Sequence, residues 1–370
     1  MEASNLATTI AWWGFGLGTV FGFIANKSNF CTMGAVSDIV NMGDWGRMRA
    51  WLLAIAVAMI GTSALTYSGQ LDIAKTIYTG NSFPWLAYIV GGMVFGVGMT
   101  LASGCGNKTL VRVGGGNLKS VVVFIYMGFA AMMTLKGLFG AFRVKVLQAP
   151  AVTLQFDHGQ TLPALLGSVG GLDPKTMLLV VTGVIALAIL IFVFMDHEFR
   201  KHLDNNLAGL VMGLVIVAGW YVTGHMGLAE NPETMEITYF GTNSHLAESM
   251  SFVAPTAYTM EFWAYWTDTS TVITFGIATV FGVGIGSFIY SLISKSFRWE
   301  HFSSSQDMFR HIIGGTMMGF GGVTAMGCTI GQGMTGVSTL SLGSFLAFLS
   351  IVAGAAITMK IQYYMMMREA

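Results

Sequence analysis

Nine apolar runs, each close to the length of a membrane-crossing helix, recur along this chain at about 8–26, 47–68, 84–103, 118–140, 175–195, 206–222, 270–293, 309–327 and 343–364. A hydrocarbon core about 30 Å thick is crossed by about 20 residues of helix, so each run predicts a transmembrane helix. A weaker apolar stretch at 161–171 is too short to span. Lipid offers the backbone no hydrogen-bond partner, which leaves only helices or a closed barrel. Alternating ten-residue barrel strands are absent. Composition agrees: 54% of the 370 residues are hydrophobic and 10% are charged, against about 25% charged in a soluble domain. Eighteen Lys and Arg with eighteen Asp and Glu cannot clothe a soluble surface of this size. A cytosolic enzyme, a secreted domain and a disordered chain are therefore excluded. The expected fold is an all-α polytopic membrane protein, one membrane domain over 1–370.

The formal net charge of zero gives no electrostatic case for nucleic acid. Three cysteines are too few and too far apart for a disulfide framework. The N-terminal MEASNLATT carries no Lys or Arg before the first apolar run, so that run reads as a retained helix rather than a cleaved signal.

Basic residues set the expected orientation. Lys27, Arg47 and Arg49 follow the first run; Lys108, Arg112 and Lys119 the third; Arg200 and Lys201 the fifth; Lys295, Arg298 and Arg310 the seventh. With nine alternating spans these connections share one side. The stretch 223–268 falls on the other, with Glu230, Glu233, Glu236, Glu248, Glu261 and Asp268 and no Lys or Arg. The expectation is a multi-pass membrane protein with its N-terminus outside and its C-terminus, near Arg368, in the cytoplasm. Arg143, Lys145 and Lys175 depart from this pattern, because they lie in an outer connection.

Within this frame the sequence repeats itself. GGMVFGVGMTLASGC, 91–105, aligns without gaps on GGTMMGFGGVTAMGC, 314–328. Gly18 and Gly22 precede Cys31 at the spacing by which Gly92 and Gly96 precede Cys105 and Gly315 and Gly319 precede Cys328. A further copy, third in chain order, runs from Gly209 and Gly213 to Val222 in that register. For the glycines alone, close helix packing is the simpler reading. A buried cysteine is also commonly just a small hydrophobe. Yet all three cysteines occupy one register of one repeat, and scattered structural cysteines would not. Related copies lie five spans apart, an odd number. This predicts two inverted pseudo-symmetric halves, 1–145 and 175–370, the second carrying the outer loop 223–268. Such inverted repeats are built into many transporters. Glycine-rich polar pieces at 28–38, 104–117 and 327–341 are too apolar for loops and too broken for spans, and such backbone survives at membrane depth only around an enclosed cavity. Cys31 and Cys105 are expected to approach from the cytoplasmic side and Cys328 from the outer side.

Three chemistries compete for these thiols. A membrane thiol oxidoreductase needs two sulfurs within disulfide reach, and the sequence gaps of 74 and 223 residues contain no local pair. A soft-metal transporter finds ligands in Cys and 26 Met, but no acid lies within five residues of Cys105 or Cys328 to balance a cation. An anion fits better. SGCGNK and MGCTIGQG set exposed backbone N–H groups beside each thiol. Gly104, Gly106 and Gly327 let a ligand approach the chain. Asn107, Thr329 and Gln332 add neutral donors, and Lys108 adds a charge near the cytoplasmic mouth. A soft, sulfur-bearing oxyanion matches both the thiols and the donors.

SNFCTMGA around Cys31, SGCGNKTL around Cys105 and GCTIGQGMTG around Cys328 resemble the YeeE/YedE family of sulfur-compound transporters, and GWYVTGHMG (219–227) and SFVAPT (251–256) look familial too. The resemblance implies thiosulfate uptake through the inner membrane, with three cysteines relaying the ion by S–H···S contacts. It implies about nine membrane helices with four short broken ones, in contact with membrane lipid, and a small TusA-like sulfur carrier protein as partner. Selenium species remain an alternative cargo. No enzymatic activity or cofactor is implied: Gly114-Gly115-Gly116 lacks the Gly-Lys-Ser/Thr ending of a phosphate-binding loop. His225 and His245 match no compact metal motif. Trp12, Trp13, Trp263 and Trp266 read as interfacial anchors, and Arg47 and Arg49 as charge anchors.

Overall fold

The computed structural model describes residues 3–170, 173–230, 235–268 and 271–369. Glu233 of the acidic stretch, Met1 and Glu2 of the N-terminal segment and Gly171 of the weak apolar stretch lie outside them. The first half contains α1 (Ala3–Lys27), α2 (Thr32–Met42), α3 (Gly46–Tyr67), α4 (Trp85–Leu101), α5 (Gly106–Gly114), α6 (Leu118–Leu135) and the single turn α7 (Leu138–Phe142). After the short α8 (Leu162–Gly170) come α9 (Pro174–Phe194), α10 (His197–Lys201), α11 (Leu203–Tyr221), α12 (Val253–Ala264), α13 (Phe275–Ile293), α14 (Ser305–Thr324) and α15 (Leu342–Glu369). Two small antiparallel pairs, Ser82–Phe83 with Leu154–Gln155 and Leu228–Glu230 with Ile237–Tyr239, are the strands among the described residues.

Every apolar run has become a long helix. Among the described residues, eight helical stretches are long and apolar enough to cross a membrane. The ninth run forms α14, whose first turns carry Asp307, Arg310 and His311 and make it less apolar than the rest. Side-chain caps mark where several helices begin: Asn117 accepts from Ser120 N–H at 2.9 Å before α6, and Ser304 from Asp307 N–H at 3.2 Å before α14.

The glycines seat these helices on one another. A Cβ on Gly18 or Gly22 of α1 would stand 2.6 Å or 2.1 Å from Thr279 O or Val283 O of α13. Gly209 and Gly213 of α11 meet α3 in the same way at Ala50 and Ala54. Gly92 and Gly96 of α4 lie against Ala347 and Ile351 of α15, while Gly315 and Gly319 of α14 lie against Val123 and Met127 of α6. Each copy of the motif thus packs on the helix that follows a copy in the other half. No backbone could approach so closely past a side chain.

Polar contacts sort the connections to two ends. Lys27 pairs with Asp204 at 3.2 Å, Arg49 with Asp196 at 3.5 Å and Lys119 with Asp307 at 2.7 Å, while Asn117 donates to Glu300 at 2.5 Å. These link the four basic connections. At the other end, Thr76 bridges Ala247, Ser82 pairs with Gln155, and Lys136 reaches Glu261 at 3.0 Å. The acidic stretch is more than a surface loop. Ala247, Met250, Phe252 and Val253 are fully buried, and α12 packs against α6, α13 and α14.

Candidate functional site

Three long helices, α1, α4 and α14, end in the same way. Two residues before each cysteine the chain enters the left-handed region, at Asn29 (φ 50°), Ser103 (φ 56°) and Met326 (φ 59°). In each case the next N–H reaches back five residues: Phe30 to Ala25 O at 3.0 Å, Gly104 to Met99 O at 2.9 Å, Gly327 to Gly322 O at 2.7 Å. This closure satisfies carbonyls that a helix end leaves free. A left-handed residue other than glycine costs about 1–2 kcal/mol, so surrounding contacts must hold it. Two such contacts come from α5: Lys108 Nζ donates to Asn29 Oδ1 at 3.0 Å, and Arg112 to Ser103 O at 2.7 Å.

The cysteine then starts a second, short helix. Cys31, Cys105 and Cys328 each accept the first helical hydrogen bond, from Ala35 N–H at 2.9 Å, Thr109 N–H at 2.9 Å and Gln332 N–H at 2.7 Å. These open α2, α5 and the short helix 329–338, whose middle is widened into a π turn over Gly331–Gly336. The thiol faces the N–H three residues on: Gly331 N–H donates to Cys328 Sγ at 3.4 Å, and Cys31 and Cys105 lie beside the N–H groups of Gly34 and Lys108. All three sulfurs therefore sit at helix N-termini, where free N–H groups and the helix dipole favour negative charge.

The thiols are buried, with 4% exposure at Cys31 and none at Cys105 or Cys328. Cys31 and Cys105 touch, Sγ to Sγ at 3.9 Å. Their separation by 74 residues in sequence is therefore no obstacle to thiol chemistry, because α2 and α5 begin side by side. Cys105 also reaches Asn107 Oδ1 at 3.5 Å, and the Thr329 hydroxyl lies beside its thiol without closing a hydrogen bond. Thr329 thus brings the Cys328 copy up to the Cys105 copy.

Around the sulfurs several polar atoms are buried with no partner: Thr32 Oγ1, Asn107 Nδ2, Thr329 Oγ1 and Gln332 Oε1. Gln332 commits its amide nitrogen to Ala325 O at 2.5 Å, leaving its carbonyl oxygen free. Such a concentration of unsatisfied groups is unusual, since each costs about 1–3 kcal/mol. Gly106 has room beside Met127 and Val253, the Gly104 backbone lies against the Lys108 side chain, and Gly327 is covered by Gln332. The site residues expected from sequence therefore share one buried region, with Lys108 at its edge. Thr32 was not expected, although its signal was present: Thr follows Cys in the first copy as in the fourth. Trp51 was missed as well. It stacks between Phe30 and Phe348, at 5.1 and 5.8 Å, and walls the Cys31 side.

The third copy behaves differently. Helix α11 runs straight through Val222 into a π turn, Val222–Met226, with no left-handed break. Trp220, fully buried, fills this quarter and donates to Ser338 Oγ at 3.1 Å. Among the described residues no three His, Cys, Asp or Glu side chains gather as a metal site, and His225 stacks on Tyr221 at 5.1 Å.

Comparison with known proteins bears on the same residues. A family described as sulphur transport matches residues 27–357, a range that holds all three cysteines. The thiosulfate transporter TsuA of Escherichia coli K12 is 26% identical over 358 residues, covering 91% of this chain and 90% of that protein. The thiosulfate transporter TsuA of Spirochaeta thermophila is 25% identical over 360 residues, covering 93% of this chain and 96% of that protein.

Proposed function

The chain belongs to the sulphur transport family, and from that premise we propose that it carries thiosulfate, or a closely related sulfur anion, across a bacterial inner membrane past Cys31, Cys105 and Cys328. One observation carries this reading. Three thiols at three helix N-termini share a buried region with Thr32, Asn107 and Thr329 atoms that lack partners. An anion completes such a site: its oxygens accept from the amide and hydroxyls, and its terminal sulfur accepts from a thiol. The step is passive hand-over between S–H donors, with no covalent bond made or broken. Weak, repeated contacts of this kind bind an ion firmly enough to enter and loosely enough to leave.

The basic connections are read as the cytoplasmic side, where Lys108 and Arg112 mark the exit and a small TusA-like sulfur carrier receives the cargo. The exchange of glycine contacts between halves supports inverted pseudo-symmetry over 1–145 and 175–370. A thiol oxidoreductase is the second reading, and the Cys31–Cys105 contact favours it; a reversible loss of two hydrogens from the intact protein during turnover would be its mark. The transport reading is tested by growth of a sulfur-assimilation-deficient host on thiosulfate as sole sulfur source. Growth that depends on this chain is expected, and no growth despite membrane-inserted protein overturns the reading.

A further inference from the structure

Arg143 lies in a connection where the distribution of basic residues gives it no place, and the structure shows what surrounds it. It opens the π turn Arg143–Leu147 and lines a cavity of about 200 Å³ at the end of the molecule opposite the basic connections. The cavity reaches the end of α14 at Val323 and the break after it at Met326 and Gly327, directly before Cys328. Tyr78 and Ser251 line it as well, and both stand against Gly331, whose N–H holds the Cys328 sulfur: a Cβ there would meet Ser251 Oγ at 2.7 Å and the Tyr78 hydroxyl at 3.4 Å. The cavity and the third thiol thus share walls.

Within it Arg143 lacks what a guanidinium requires. Its Nε is buried without a hydrogen-bond partner, and among the described residues it forms no ion pair. Leaving a cation so placed is costly unless an anion arrives. The one carboxylate lining the cavity, Glu248, is turned to its own loop, accepting from Ser244 N–H at 3.0 Å and Ser244 Oγ at 2.5 Å. Burial raises its carboxyl above the usual range, against the pull of those two hydrogen bonds.

We propose that this cavity is the first binding station for a sulfur oxyanion, with Arg143 gripping its oxygens and its terminal sulfur directed toward Cys328. A planar guanidinium pairs two oxygens of a tetrahedral oxyanion at once, which a lysine cannot. The Tyr258 hydroxyl, also on the lining, supplies a further donor. This station rests on the transport reading and adds to it a residue that sets affinity rather than passage.

Uptake of radiolabelled thiosulfate measured against concentration tests it. Arg143→Gln should raise KM about tenfold, the loss expected for one charge-assisted pair, with the maximal rate kept within about twofold of wild type. Arg143→Lys should lie between. An unchanged KM in Arg143→Gln overturns the proposal. If that variant fails to accumulate, Arg143→Lys decides by the same criterion. A second arm reads binding alone: thiosulfate should raise the melting temperature of the purified wild-type protein and of Cys105→Ala, but not of Arg143→Gln. Should the wild type carry no thiosulfate, the transport reading fails, while a melting shift lost only in Arg143→Gln still supports the station. An equal shift in all three proteins overturns it.

Discussion

Thr329 shows how one residue can oppose stability to function. Its hydroxyl is buried, beside the Cys105 thiol, and without a partner. Thr329→Val keeps the shape and removes the unsatisfied oxygen. The variant should therefore melt no lower than wild type, with up to about 1–3 kcal/mol recovered, while thiosulfate uptake falls. Parallel melting and uptake measurements check this, and uptake at the wild-type level would mean that the hydroxyl meets no substrate. The cysteines themselves were legible in sequence because a glycine spacing repeated before each. The 3.9 Å contact between Cys31 and Cys105 was not, since it depends on two short helices starting side by side. Arg143 carried only a negative signal, a basic residue on the side expected to lack them. Its meaning depends on a cavity that three separate connections build.

Among the elements, the long helices follow from apolar length and the breaks from what precedes each cysteine. The glycines that matter are told apart by what a side chain would strike. On α13, a Cβ at Gly286 would lie 2.0 Å from Thr19 O, whereas at Gly284 it would meet nothing within 4 Å. Gly286→Ala should therefore force α1 and α13 apart and lose about 1–3 kcal/mol. Gly284→Ala should be neutral or stabilise by up to about 1 kcal/mol, as helix propensity dictates. Melting temperatures in detergent distinguish the two, and equal effects would contradict the packing described. The third copy offers a second comparison. Because the chain stays helical through Val222, Val222→Ala should alter uptake far less than Cys328→Ala. Equal losses would assign the register to packing rather than to sulfur chemistry. The unbroken helix was not readable from spacing, since the glycines match the other copies and only the missing cysteine differs. Nor was the inward course of α12 readable, for its apolar segment is too short to register as a span.

For the molecule as a whole, the central proposal is a path that begins near Arg143, passes Cys328, Cys105 and Cys31, and leaves beside Lys108 and Arg112. Ion pairs and small strand contacts divide the connections between two ends, and the proposed orientation takes the end rich in basic residues as cytoplasmic. On that orientation, a membrane-impermeant maleimide added to intact cells should modify Cys328 before Cys105, through the cavity bordering Gly327, and thiosulfate should protect it. Single-cysteine variants at raised pH provide the comparison, because buried thiols ionise and label slowly. Labelling of Cys105 first would reverse the orientation. The path itself depends most on Cys105, which touches Cys31 and borders Thr329. Cys105→Ala removes one small buried group and should cost about 1–2 kcal/mol, so folded protein should remain. The most direct measurement is therefore labelled thiosulfate flux into liposomes containing equal amounts of folded wild-type or Cys105→Ala protein. The account predicts that the variant falls to the rate of protein-free liposomes, and flux at the wild-type rate would contradict it.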